Sequence, residues 1–275
     1  MKRIAVLTVT LLVVAACATS PTGRRQLMLV SPDQAISASK SAYVQQMQEF
    51  DKKGQISRDP ELISRVNTIT GRLVAQAIKA RPDTKDWEWS VEVIDDPKTV
   101  NAWCMAGGRM AIYTGLIDKT NATDDEIAQV MGHEIAHALA NHTAERMSVA
   151  MASQIGVVAA GVASRDAGVM MGAAAAAQLA ISLPNSRASE TEADRIGIEL
   201  AARAGYDPRA AATLWGKMAE VGGDGPPQFL STHPAPGNRQ ETLAALAPQM
   251  MKYYEAPGER PMYVMQPGNY GPRGG

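Results

Sequence analysis

Apolar positions recur at helical spacing along much of this chain, and the residues between the runs mark where each begins. Ser31-Pro32 opens a first run and Asp59-Pro60 a second, each an N-cap residue followed by proline at the first helical position. In the second run Leu62, Val66, Ile69, Leu73 and Ala77 fall on one stripe, as a helix facing a core requires. The period then changes. In "WEWSVEVID" Trp87, Trp89, Val91 and Val93 alternate with Glu88, Ser90 and Glu92, which predicts a half-buried strand; "GGRMAIYTGLI" reads as a second strand entered through glycine. Helical spacing returns at Thr123-Asp124-Asp125-Glu126. This is a capping box, where hydroxyl and carboxylate satisfy each other's orphan amides, and Ile127, Val130, Met131, Ile135, Ala138 and Leu139 continue the helix.

Residues 147–183 are rich in Ala, Gly, Val and Met and are interrupted by Arg165-Asp166. Each half is near the lower length limit of a membrane span and only weakly apolar, so two packed helices are expected, with an interfacial face left open. Further helices are expected over roughly 189–204, 207–221 and 237–253, and the Pro/Gly-rich residues 256–275 are expected to be a disordered tail. The sum is a mainly helical α+β fold in which a small antiparallel sheet lies beside the helix that starts at the capping box.

With 275 residues there is room for one domain of moderate size with an ample core. A formal charge of -1 lacks the basic footprint of a nucleic-acid binder. The first residues change the picture more. Lys2 and Arg3, the apolar residues 4–14, and Val14-Ala15-Ala16-Cys17 follow the order of a signal peptide, and the small pair before a cysteine resembles a bacterial lipobox. The expectation is cleavage after residue 16 and acylation of Cys17, with Ala18 favouring the outer membrane. Residues 17–30 would then be a polar, lipidated tether and 31–255 the folded domain. Cys104 alone would remain, so no internal disulfide is available and packing or a metal must supply stability.

The candidate chemistry begins in "GHEIAH". A spacing of four puts His133 and His137 on one helix face, one turn apart, so two imidazoles can reach one ion, with Glu134 placed beside them to take a proton from an attacking water. Catalytic zinc commonly takes three protein ligands. His142 lies five residues beyond His137, where a liganding role does not fit the helical turn. Glu190 and Asp194 in "SRASETEADRIG" do share one face, so Glu190 can complete the metal site while Asp194 accepts a hydrogen bond from a liganding imidazole. Glu192 points about two hundred degrees away from Glu190 at a hundred degrees per residue.

Four segments, "NAWCMAGGRMAIYTGLI", "GHEIAHALANH", "SRASETEADRIG" and "STHPAPGNR", occur in an order that resembles the gluzincin zinc metallopeptidases grouped with HtpX and the type I CAAX prenyl proteases. The similarity is greatest to bacterial lipoprotein and periplasmic members such as LoiP and BepA. It implies one Zn2+ per chain held by His133, His137 and Glu190, with Glu134 as general base and acid and Asp194 orienting His133. It also implies that His233 stabilises the oxyanion or closes on the metal as a fourth ligand, with Arg239 supporting the same cleft. A glycine-rich edge strand, with Asn101, Gly107, Gly108, Met110, Ala111 and Ile112 as substrate-binding residues, would receive an extended polypeptide. Cys104 reads as a packed residue rather than a nucleophile. The activity implied is a lipid-anchored endopeptidase facing the periplasm from the outer membrane. Its expected substrates are misfolded or misassembled envelope proteins, outer-membrane β-barrel precursors among them. These 275 residues hold no tetratricopeptide repeat, the docking module of BepA-like members. A lipoprotein chaperone or scaffold with a latent or structural zinc site is the alternative, and prenyl-peptide processing is disfavoured because no set of spanning segments is seen.

Overall fold

The computed structural model describes residues 17–164, 186–221, 227–234 and 237–271. Residues 1–16, expected as a signal peptide, and the second half of the Ala/Gly-rich region, 165–185, lie outside the described residues. Two compact units emerge: residues 1–35 with 140–183, and residues 36–139 with 184–275.

In the smaller unit β1 (Cys17–Thr19) and β2 (Arg25–Leu27) form an antiparallel hairpin with Cys17 opposite Leu27. The hairpin packs on the helix His142–Ser164, numbered α5 in chain order below. Arg24 makes a two-pronged ion pair with Glu145 at 2.7 and 2.6 Å, Gln26 Nε2 donates to Ala140 O at 2.8 Å, and Val30 N–H donates to Ser148 Oγ at 2.9 Å. The polar segment expected as a tether is therefore anchored structure. Its polar side chains find partners more than a hundred residues away, which composition does not reveal.

The larger unit contains α1 (Pro32–Lys52), α2 (Pro60–Ala80), β3 (Ser90–Ile94), β4 (Ala102–Cys104), β5 (Arg109–Tyr113), α3 (Thr114–Lys119) and α4 (Asp124–Leu139). After the smaller unit's α5 it continues with α6 (Arg187–Arg203), α7 (Ala210–Glu220), α8 (Gln228–Thr232) and α9 (Arg239–Tyr254). The helix starts follow the sequence signals. Ser31 Oγ accepts from Gln34 N–H, Asp59 Oδ1 accepts from the Glu61 and Leu62 amides, and the Thr123–Glu126 capping box closes at 2.9 and 3.3 Å. Val66, Ile69, Leu73 and Ala77 of α2 are buried as expected.

The mainly helical α+β architecture is as expected, but the sheet is mixed rather than antiparallel. Its order is β3-β5-β4, with β3 parallel and β4 antiparallel to β5. Gly107 and Gly108, both at positive φ near +88 and +85°, make the tight reversal that folds β4 back along β5. A Cβ on Gly108 would also lie 2.6 Å from Trp89. With β4 on one side of β5, β3 takes the other side and runs parallel to it. β3 is buried along its whole length rather than half-buried. One face packs into the main core with Val66, Leu73 and Ile127, and the other meets Tyr43 and Met47 of α1.

Residues 256–271, expected as a disordered tail, run as an ordered strap. Tyr263 N–H donates to Gly71 O at 2.9 Å, Gln266 N–H to Trp89 O at 3.0 Å and Gly268 N–H to the buried Glu92 carboxylate at 3.2 Å, while Tyr270 is buried beside Tyr43. Proline and glycine rule out a regular element there. They leave the tyrosines free to anchor an extended one. No described helix is long and apolar enough to cross a membrane.

Glu126 ties α4 to α7. Burial raises its pKa, but hydrogen bonds from Lys217, the Thr123 amide and Thr213 outweigh that and hold it below the ordinary glutamate value. A depressed folded-state pKa means stability present above the unfolded value and lost as pH falls through the folded one. Glu126→Gln is expected to lower stability at neutral pH by about 1–2 kcal/mol and to flatten its acid dependence. Urea unfolding of both proteins between pH 3 and 7 checks this; parallel pH dependences would contradict it.

Candidate metal centre

The α4–α6 crossing is the most extensive helix pair of the larger unit. Gly132 and Gly197 face each other there. A Cβ on Gly132 would come 2.9 Å from Gly197 O, and one on Gly197 would come 2.7 Å from the His133 amide nitrogen. Only hydrogen fits between these backbones. Gly197 shares its face with Glu190 and Asp194, so close approach at the glycine brings both carboxylates to His133. Ser186 caps α6, its Oγ accepting from Ser189 N–H, and places Glu190 in the first turn, where a carboxylate is favoured by the helix dipole.

His133, His137, Glu190 and His233 form one buried group whose candidate ligand atoms all lie within 4.8 Å of one another. His133 Nε2 is 3.0 Å from His137 Nε2, 3.3 Å from His233 Nδ1 and 3.3 Å from Glu190 Oε2. Glu190 Oε1 is 3.3 Å from His137 Nε2 and 3.0 Å from His233 Nδ1. Ligand atoms about 2.0–2.1 Å from a tetrahedral zinc are about 3.3 Å apart, so these separations fit such an ion. Buried Glu190 Oε2 and Glu134 Oε1 make no hydrogen bond, so each keeps an acceptor that a cation could use, Glu190 Oε2 beside the Arg239 guanidinium at 3.2 Å. Neither His142 nor Glu192, both buried, belongs to the group.

The surroundings set the two α4 imidazoles apart: His137 is held neutral and His133 protonated. Burial, with His133 and His233 adding to it, drives the His137 pKa far below its ordinary value. For His133, burial and Arg239 oppose the charged form, yet Asp194 and Glu190 outweigh them and hold its pKa at about 9. A metal ion must therefore displace a proton from His133. Glu190 itself is penalised by burial but is held far below the carboxylate range by the three imidazoles.

Asp194 Oδ1 lies 2.9 Å from His133 Nδ1, the contact expected of it. Arg239, the first residue of α9, lies beside both groups, its Nη2 3.1 Å from His133 Nδ1. Its guanidinium is buried, reaches Asp194 Oδ1 at 2.5 Å and Glu190 Oε2 at 3.2 Å, and lies 3.5 Å from the Trp215 ring centroid. Phe229 of α8 packs 5.3 Å from Trp215 and stacks on His233 at 4.4 Å. Sequence reasoning misses Trp215, Phe229 and the two glycines. A mid-helix glycine costs about 1 kcal/mol against alanine, so Gly132 and Gly197 on site-bearing faces were the available signal.

Glu134 points to the opposite side of α4 from the glycine contact, toward β4. The Cys104 backbone N–H donates to its carboxylate, and its Oε1 lies 3.5 Å from His233 Nε2. Burial raises the Glu134 pKa, against the pull of His233 and His133. Cys104 is buried, outside the ligand group, and its thiol is pushed well above the ordinary value by burial and by Glu134. It is a packed thiol.

The substrate-edge expectation needs correcting in place. Met110, Ala111 and Ile112 lie on β5, the central strand, both of whose sides are already paired. Gly107 and Gly108 form the turn. The outer strand on the α4 side is β4, so Ala102 to Cys104 lie beside α4, and Asn101 reaches that edge through its side chain.

With this geometry in hand, comparison with known proteins is decisive. The sequence profile of Peptidase family M48 matches residues 60–247. The chain belongs to peptidase family M48. It is 33% identical over 247 residues to mitochondrial metalloendopeptidase OMA1 of Bos taurus, covering 85% of this chain and 46% of the relative. Identity is 40% over 157 residues to mitochondrial metalloendopeptidase OMA1 of Arabidopsis thaliana, covering 57% of this chain and 31% of the relative. With the beta-barrel assembly-enhancing protease of Yersinia pestis it is 32% over 219 residues, covering 76% of this chain and 43% of the relative. The chain thus spans about half, or less, of the length of these M48 relatives. The match takes in α4, α6 and α8, and so all four candidate ligands.

Gly197→Val is expected to force α4 and α6 apart, costing about 1–3 kcal/mol as overpacking does, and to weaken metal retention. Thermal unfolding and bound-metal stoichiometry after dialysis check both together. Wild-type metal content in a folded Gly197→Val protein would contradict the role given to the crossing.

Proposed function

We propose that the chain is a zinc-dependent endopeptidase whose metal is held by His133, His137 and Glu190. The observation that carries this reading is the buried group of three imidazoles and a carboxylate at zinc-like spacing, with the unpaired carboxylate oxygen of Glu134 beside it. When bound, zinc supplies Lewis acidity toward a peptide carbonyl and acidifies the attacking water. Everything else comes from the chain. Glu134, its carboxylate steadied by Cys104 N–H, takes a proton from the water and returns it to the leaving amine. Asp194 and Arg239 fix the ring plane and tautomer of His133. An extended polypeptide pairs with the β4 edge through backbone hydrogen bonds, which suits substrates chosen for lack of structure rather than for sequence.

His233 stands among the ligand atoms, and this favours the latch over the oxyanion role in the resting protein. Withdrawn from the group, its Nε2 side is already turned toward Glu134 and the cleft. The same observation is what a permanently latent site would show, so the scaffold alternative is distinguished by activity after His233 is removed.

The name of the Yersinia relative supports envelope β-barrel proteins as a substrate class, and the lipobox-like residues before Cys17 support acylation there and a periplasm-facing place at the outer membrane. Because Cys17 opens a hairpin rather than a tether, the lipid would hold the smaller unit directly at the membrane surface.

Glu134→Gln is expected to retain one zinc per chain while cleavage of an unfolded protein falls about 10²–10⁴-fold, the usual worth of a general base. His233→Ala is expected to raise cleavage. Zinc content and casein digestion, measured for wild type and both variants, decide the matter: bound zinc with no cleavage in wild type or His233→Ala overturns the protease reading.

A further inference from the structure

The side of β4 that faces away from β5 is where an added polypeptide strand must pair. Asn101 O and Met105 N–H point to β5, where they meet Tyr113 N–H and Arg109 O, so Val100, Ala102 and Cys104 present their backbone groups outward. The protein's own groups occupy that side. Val100 O accepts from Phe229 N–H at 3.1 Å, Ala102 N–H donates to Asn101 Oδ1 at 3.0 Å, and Cys104 N–H donates to Glu134.

One of these occupants leads to the metal group. Phe229 is fully buried, its ring lies nearly parallel to the His233 imidazole at 15°, and its carbonyl accepts from His233 N–H at 2.9 Å. α8 is a little over one turn long, so its first turn hangs on Val100 and His233, the residue that caps its end, brings Nδ1 to Glu190. A displacement at one end has no slack to absorb it before the other.

We propose that Phe229 is a positioning residue that couples occupancy of the β4 edge to the place of His233. An extended polypeptide that donates to Val100 O displaces the Phe229 amide, α8 shifts, and the stacked imidazole is drawn out of the ligand group. Exchange of one amide donor for another at the same carbonyl is close to neutral in free energy, so the substrate's other contacts decide it. The inference rests on the metal-centre reading above and adds its regulation: the substrate backbone opens the site that cleaves it.

Cobalt-loaded Glu134→Gln protein, whose visible absorption reports the number of ligands, provides the test, with the unfolded protein β-casein as probe. Saturating β-casein is expected to move its spectrum to that of the Glu134→Gln/His233→Ala double variant. Adding Phe229→Ala is expected to give that spectrum before any casein is present and to tighten casein binding about tenfold, as when a closed state holding about nine molecules in ten is removed. Phe229→Tyr, which keeps the stack, is expected to behave as the parent. A parent spectrum unmoved by saturating casein overturns the coupling without recourse to any Phe229 variant, as does a Phe229→Ala protein that matches the parent throughout. Failure to hold cobalt, or a His233→Ala spectrum equal to the parent's, instead overturns the metal-centre reading and the coupling with it.

Discussion

Gly132 and Gly197 put the backbones of α4 and α6 in contact, and the dimensions of the centre follow from that contact. Helix axes in proteins ordinarily lie about 8–10 Å apart, the separation set by the side chains between them. At the Gly132–Gly197 contact there are none. Histidine and glutamate side chains of fixed length can converge on one ion from two helices only over a narrow range of spacing, and metal–ligand distances tolerate about 0.2 Å. A methyl group at either glycine exceeds that tolerance. The same contact brings Asp194 onto His133 Nδ1, so ligand and orienting partner are set by one packing decision.

Burying three imidazoles, three carboxylates and a guanidinium together is costly unless each finds a partner. Arg239 meets part of that cost by reaching both Asp194 and Glu190, with its face against Trp215. Two acceptors are left without a hydrogen bond, Glu134 Oε1 and Glu190 Oε2. A half-satisfied network of this kind is a poor way to stabilise a core and a good way to bind a cation. The aromatic pair Trp215 and Phe229 then backs the charged groups, Trp215 against the arginine and Phe229 against His233.

What was legible in the sequence is what short-range physics governs. Asp59-Pro60 and the Thr123–Glu126 box act within one turn, and the spacing of His133, His137, Glu190 and Asp194 is helical arithmetic, so these could be placed without knowing the fold. The order of strands could not, because whether β4 or β5 is outermost depends on which side of the Gly107-Gly108 reversal β3 occupies. Glu92 read as a solvent-facing strand residue and is buried, since its partner Gly268 lies in a segment whose composition suggested disorder. Gln26 and Arg24 likewise looked like tether residues until Ala140 and Glu145 supplied their partners. Each miss is a long-range pairing of a locally ambiguous residue.

The central claim is that the α4–α6 crossing assembles a site of imidazole and carboxylate ligands, closed by His233 at rest. X-ray absorption at the zinc edge of the zinc-loaded protein tests it most directly. The account predicts a four-coordinate shell of nitrogen and oxygen at about 2.0–2.1 Å with the outer-shell pattern of three imidazoles. A sulfur shell at about 2.3 Å, or a single-imidazole pattern, would contradict it.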